Sequence, residues 1–349
     1  MTSTPRISLT AGSVRRCPLR MPEAWVPPVP AFCSNLSALP RPIVVCLGVQ
    51  SQGQTLPPEV AALRKWIDGH AARIEQAWYI DAERYRNDVL VCYWPDETRY
   101  RQWASGEFAA WWSAPERLAG DTGYWREVFS APEDHRETLF SGDDRPAGLA
   151  ALGSRLFGPV AEHGYWGGAR DRIPVSANLA LEVDRTLDPQ KRSTSARRVS
   201  VEPPERVCII RSAQDSTDCA GREADLYRER VYPVLIRGMD YLRDHPRETG
   251  CFSCRFMHEL EPDGSPSQRS FALAHFVSLG HLERWAASHP THLAIFNEFL
   301  AMATELGPAM RLRLWHEVYV LPRGAGRFEY VNCHPGTGLL PFEQPVEAS

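Results

Sequence analysis

Two histidines lie on apolar faces of neighbouring elements near the C-terminal end of the chain. His292 closes the string Ser288-His289-Pro290-Thr291-His292, where a segment of helical spacing begins, and it shares a helical face with Ile295, Phe296, Phe299 and Ala303. Ser288 suits the cap of that helix and Pro290 its first turn, so the ring would start from a rigid base. His316 falls within Arg311–Val320, an alternating segment in which Leu312, Leu314, His316, Val318 and Val320 share one side. A histidine on an apolar face is either a hydrogen-bonded packing residue or a group put to use, because an unpartnered ionisable ring is costly to bury. Two such rings, on opposite sides of one hydrophobic layer, point to a buried cofactor between them. One ring would ligate, and the other would exchange protons near neutral pH.

Weaker candidates accompany them. Ser212 ends the apolar strand Val207–Ser212 and shares a face with Cys208 and Ile210; a strand-end hydroxyl is either a turn residue or a site donor. Arg172 precedes Ile173-Pro174 at the end of a glycine-rich string beginning at Glu162, where it is either a salt-bridge partner or a site cation. Glu137 sits in Arg136-Glu137-Thr138-Leu139-Phe140 and carries less signal. The chain has no GxGxxG, GxxxxGK[ST], HExxH or GxSxG motif.

Composition bounds the partners. The chain has 349 residues, 43% of them apolar, and a formal net charge of −4, which gives no argument for nucleic acid or an anionic membrane surface. No run approaches the roughly 20 apolar residues needed to span a bilayer. Arg15-Arg16 is followed by Cys17-Pro18 rather than an apolar stretch, so no export signal is expected. The nine cysteines form no framework spacing, which fits free thiols in the cytoplasm. Cys251 and Cys254 make a lone CxxC, without a second pair for zinc and with Arg255 rather than His after it, so it is not a c-type haem attachment.

The elements that must position these residues repeat. Residues 1–40, with Pro27, Pro28 and Pro30, read as an extended N-terminal arm. In the first half, at 41–160, the pattern predicts strands at Ile43–Val49, Asp88–Trp94 and Gly123–Phe129, and helices at Val60–Ala77 and Glu97–Trp112. A connecting segment, 161–206, includes a polar loop with Lys191, Arg192, Arg197 and Arg198. The second half, 207–340, predicts strands at Val207–Ser212, Arg255–Leu260, Ser270–Val277 and Arg311–Val320. Its helices are expected at Asp225–Arg243 and at Leu279–Leu306, the latter broken at Pro290. A tail, 341–349, follows. Trp103-Ala104-Ser105 aligns with Trp285-Ala286-Ala287, and Trp125-Arg126-Glu127-Val128-Phe129 with Trp315-His316-Glu317-Val318-Tyr319. Each half then reads β-α-β-β-α-β, a ferredoxin-like unit, and the fold class is α+β with two units pairing around a barrel. In this alignment His292 falls on Ala110 and His316 on Arg126. Neither histidine therefore belongs to the shared scaffold, which weighs toward function.

The strings Glu162–Pro174 (EHGYWGGARDRIP), Ile210–Asp215 (IRSAQD), Ser288–Phe296 (SHPTHLAIF), Leu312–Val318 (LRLWHEV) and Val331–Gly338 (VNCHPGTG) resemble those of the haem-containing aldoxime dehydratases, from about Cys17 to Gly338. The resemblance implies a dimeric α+β barrel-type haem fold and one non-covalent haem b, ferrous when active, that dehydrates an aldoxime to a nitrile. It places the proximal ligand on His292 and the distal catalytic histidine on His316. Ser212 and Arg172 then hold the oxime hydroxyl, and Glu137 supports the distal network. Soft ferrous iron takes the oxime nitrogen, and His316 acts as general acid and then base. A homodimer is expected. The alternatives are a peroxidase-like or chlorite-degrading oxidoreductase on the same barrel, which favours a distal Arg or Asp over Ser and His, and a non-catalytic haem-binding protein. Two departures stand out: extra length around Leu306-Gly307-Pro308-Ala309, and small residues such as Ala31 in an arm that would line the substrate cavity.

Overall fold

The structure is a computed structural model that describes residues 15–53, 55–153, 155–190 and 197–342; Lys191, Arg192 and most of the tail lie outside the described residues. The arm contributes β1 (Cys33–Ser34). The first half then runs β2 (Ile43–Ser51), α1 (Pro58–Lys65), β3 (Arg73–Ile80), β4 (Arg86–Trp94), α2 (Glu97–Ala104), α3 (Glu107–Ser113) and β5 (Gly123–Phe129). Next come β6 (Arg136–Phe140), β7 (Leu156–Phe157), α4 (Gly168–Arg172) and β8 (Arg198–Val201). The second half runs β9 (Cys208–Asp215), α5 (Arg222–Leu226), α6 (Tyr232–Asp244), α7 (Pro246–Thr249), β10 (Cys251–Leu260), β11 (Pro266–Phe276), α8 (Leu279–Ser288), α9 (Pro290–Leu306) and β12 (Arg313–Val320), and β13 (Gly326–Val331) closes the series.

Eleven of the strands form one sheet in the order β6-β12-β9-β11-β10-β3-β4-β2-β5-β13-β8, while β1 and β7 pair separately. Counted separately, β2–β5 and β9–β12 each stand in the order fourth-first-third-second, and the two sets meet where β10 pairs β3 through His258 and Glu259 against Trp78 and Ala77, while β6 joins the second set at β12 and β13 joins the first at β5. The sheet curls until its two halves face each other. Tyr93 on β4 donates to Glu317 on β12 at 2.6 Å, Arg255 on β10 grips Glu127 on β5 at 2.6 and 2.7 Å, and Phe129 meets Tyr319 edge to face at 5.2 Å. Every residue of β2 from Ile43 to Gln50 is buried, because one face looks into this interior and the other lies under helices. Gly48 lets β2 approach the indole of Trp125, where an added Cβ would fall 2.0 Å from the ring.

Helices cover the outer face. Over the first half, Trp103, Phe108, Trp111 and Trp112 of α2 and α3 fill the space in a chain of ring contacts, with Trp103 and Phe108 stacked at 4.1 Å. Over the second half lie α6, α8 and α9. Between α5 and α6 the helix widens to a π turn at Tyr227–Val231. Pro233 follows directly; its ring nitrogen has no hydrogen to give the ordinary ladder.

Several expectations change. The helix expected at Val60–Ala77 ends at Lys65; Gly69, at φ +80°, turns the chain, and Ile74 and Ala77 belong to β3. Glu97–Trp112 is two helices, with Gly106 between them. The polar loop of the connecting segment ends in a strand, Arg198–Val201, on the sheet edge. Cys251 and Cys254 are buried free thiols, the latter against the sulfur of Met239 at 3.8 Å.

Candidate active site

His292 sits in the first turn of α9. Pro290 begins that helix as expected, but its cap is His289, whose Nδ1 accepts from the Thr291 amide at 3.3 Å. Ser288 instead donates to the Arg284 carbonyl at 2.8 Å. The Nδ1 of His292 lies 2.8 Å from the carbonyl oxygen of Ala286, the last turn of α8. A carbonyl only accepts, so Nδ1 carries the hydrogen and Nε2 keeps its lone pair, the arrangement a metal-ligating imidazole requires. Trp285 and Trp166 flank the ring edge to face at 4.7 and 5.6 Å. Burial pushes the imidazole down to about 4, which the Ala286 bond only partly offsets, so the ring is neutral at pH 7.

His316 is on the opposite element, as its period predicts, but half-buried on the helix-covered face rather than sunk in the core. Pairing places the sequence candidates side by side. His316 stands opposite Ser212 on β9 and opposite Leu139 on β6, so Glu137, two residues away on β6, projects from the same face. Nε2 of His316 lies 2.9 Å from a Glu137 carboxylate oxygen and 3.1 Å from a terminal nitrogen of Arg172. Arg172, at the end of α4, is not at the surface. It holds Glu137 with a two-pronged grip, Nε at 2.7 Å and Nη2 at 3.1 Å, and its other terminal nitrogen donates to the Glu162 carbonyl. Burial raises the Glu137 carboxyl, but Arg172 and then His316 outweigh it and hold the group down at about 2. The carboxylate is therefore ionised and favours a hydrogen on Nε2 of His316. Ser212 is half-buried, and its hydroxyl has no hydrogen-bond partner among the described residues.

Sequence reading therefore picked residues that the fold brings together. Arg172 reaches Glu137, the Glu162 carbonyl and Nε2 of His316 and so braces the cluster. What sequence reading missed is the support. Glu162 and His163 are 4% exposed and each leaves one side-chain atom unpartnered among the described residues, and Asp171 ties down the arm. The only sequence signal for them is their place in the Glu162–Pro174 string. Ala31 is buried, its carbonyl taken by the Val160 amide at 2.9 Å, and Gly307–Ala309 is an exposed turn after α9.

Residues 45–339 match the haem-containing dehydratase family. This chain belongs to that family. An aliphatic aldoxime dehydratase of Rhodococcus globerulus is 35% identical over 92% of this chain and 93% of its own length. A phenylacetaldoxime dehydratase of Bacillus sp. (strain OxB-1) is 34% identical over 94% and 95%. A crystal structure of an aldoxime dehydratase in complex with butyraldoxime superposes with a TM-score of 0.89 at 32% identity, covering 98% of this dehydratase and 97% of that chain.

The residues present fit a haem. α9 is apolar along most of its length, yet Met302 alone is fully buried; Leu293, Ile295, Phe296, Phe299 and Leu300 stay partly open. On the sheet face Ile210 and Leu314 are likewise half-buried, and β11 presents only Ala272 and Ala274 beside Ser212 and Ile210. Small residues on the sheet, open apolar ones on the helix and one neutral imidazole with a free Nε2 suit a flat, apolar, metal-bearing group.

Proposed function

We propose that this dehydratase converts aldoximes to nitriles, R–CH=N–OH to R–CN plus water, with His292 as the ligand of ferrous haem b and His316 as the residue that moves protons. The observation that carries this reading is the contact set of His316, Glu137 and Arg172 on the same sheet face as Ser212. The relatives named for aliphatic and arylalkyl aldoximes support the substrate class. When bound, ferrous haem b supplies a soft, electron-rich metal suited to the oxime nitrogen.

The chain's own residues do the rest. Glu137, ionised at working pH, keeps a hydrogen on Nε2 of His316 and fixes the ring's orientation. The other nitrogen, Nδ1, is then the atom that works. It gives a proton to the departing hydroxyl, which leaves as water, and afterwards accepts the aldehydic C–H proton. Acid help of this kind is worth roughly 10²–10⁴-fold. Ser212, across the strand pair, holds the oxime hydroxyl. Arg172 stabilises the Glu137 charge and holds its geometry.

Each half is read as a ferredoxin-like unit and the pair as a duplicated barrel, supported by the matching strand order. The active form is read as a homodimer in a reducing compartment, where the nine free thiols and a ferrous centre persist. The test is anaerobic assay of the dithionite-reduced holoprotein with an aliphatic and an arylalkyl aldoxime. Nitrile from at least one is expected, and none from either overturns the reading.

A further inference from the structure

We propose that residues 16–34 are a strap that holds the Arg172–Glu137 pair in place, with Asp171 as its clasp; Asp171 is thus a positioning residue for the dehydration, an inference that rests on the function proposed above. Asp171 is 5% exposed, and among the described residues no cation pairs with it. A buried carboxylate is tolerated only where donors satisfy it. Here the donors are backbone amides of the arm, Arg20 at 2.9 and 3.0 Å and Met21 at 3.0 Å, together with the Tyr165 hydroxyl at 2.8 Å. The next residue along α4 is Arg172.

The other end of the strap is fixed to the strand that carries Glu137. Phe32 exchanges two backbone hydrogen bonds of 2.8 Å with Phe140, and the Ser34 amide donates to the Thr138 hydroxyl at 3.1 Å. Between the two ends the arm lies directly on the connecting segment. The Trp25 indole donates to the His163 carbonyl at 2.8 Å, and Gly164 and Gly167, at φ +76° and +106°, leave room for Pro28 and the Arg20 stem 2.6 Å from where a Cβ would stand. The strap thus bridges both partners of the ion pair that orients His316. A carboxylate placed to grip peptide amides, rather than a neighbouring cation, makes the position of Arg172 depend on the arm.

In Asp171→Asn an amide NH₂ replaces one acceptor and faces donors it cannot pair with. Tyr165→Phe removes one donor and keeps the carboxylate, so it is the milder change. In the reduced holoenzyme we expect haem per chain and the Soret band to match the parent. The expected kcat for nitrile formation falls about 10- to 100-fold in Asp171→Asn, as for a misplaced catalytic group, and Tyr165→Phe lies between. The acid limb of the pH profile of kcat should move in Asp171→Asn. Hydrogen exchange should quicken at Arg20 and Met21 and also across Gly168–Arg172 and Arg136–Phe140. Faster exchange confined to the arm, or parental kcat and pH profile in both variants, overturns the strap. If the parent itself makes no nitrile, the proposed function falls, and exchange across Arg136–Phe140 still decides whether the strap holds.

Discussion

Replacing Glu137 by Gln removes the charge that Arg172 and His316 surround while keeping the side chain's shape. The carboxyl sits at about 2 in the folded chain against an ordinary 4.5. Because its side chain is 3% exposed, solvent screens this little. A depressed carboxyl stabilises the fold fully above its unfolded value and loses that contribution as pH falls through the folded one. A gap of about 2.5 pK units corresponds to about 3 kcal/mol at pH 7, shrinking to about 2 kcal/mol at pH 3.5. The pH 7 figure is in the range for breaking a buried pair, which typically destabilises by about 3–5 kcal/mol. Urea unfolding of parent and Glu137→Gln in the same haem state, at pH 7 and at pH 3.5, measures both quantities. The variant should be several kcal/mol less stable at pH 7, with a smaller deficit in acid. A parental midpoint at pH 7, or a deficit that does not shrink on acidification, refutes the electrostatic account of this site.

Other substitutions separate the remaining roles. His292→Ala should yield folded protein without a Soret band; retention of haem at parental stoichiometry would contradict its assignment as ligand. His316→Ala should keep haem and lose roughly 10²–10⁴-fold in kcat, read from nitrile formation under reducing conditions, and parental turnover would remove it from the mechanism. Gly48→Ala drives a methyl into the Trp125 ring and breaks that indole's 3.1 Å bond to Asn87, so it should cost about 1–3 kcal/mol by denaturant unfolding while leaving the spectrum of bound haem unchanged.

The parts of the site legible in the sequence were those with a strong period. The alternation across Arg311–Val320 put His316 and Leu314 on one face, and Pro290 marked the start of α9. The helix at Val60–Ala77 misled because Leu63, Ile67 and Ile74 happen to fall near helical spacing. Gly69 was the break signal, and Arg73–Ile80 owes its strand state to pairing with β4 and β10. The strand that delivers Glu137 is five residues long, too short for a period to declare itself, and is fixed by its pairing with β12. The role of Arg172 was unreadable for a different reason. A guanidinium looks the same in sequence whether it meets solvent, substrate or a buried carboxylate, and only the fold supplies Glu137 as its partner 35 residues away.

The two helical covers of the sheet are built differently, and apoprotein behaviour follows from that. Over the first half the indoles of Trp103, Trp111 and Trp112 plug the space under the helices with the protein's own rings. Over the second half the corresponding space is left to α9, whose apolar side chains are only partly covered. The first half is therefore filled by its own rings, while the apolar side chains of α9 over the second half stay partly open. In the apoprotein the second half is then the looser of the two, with the apolar side chains of α9 left facing water.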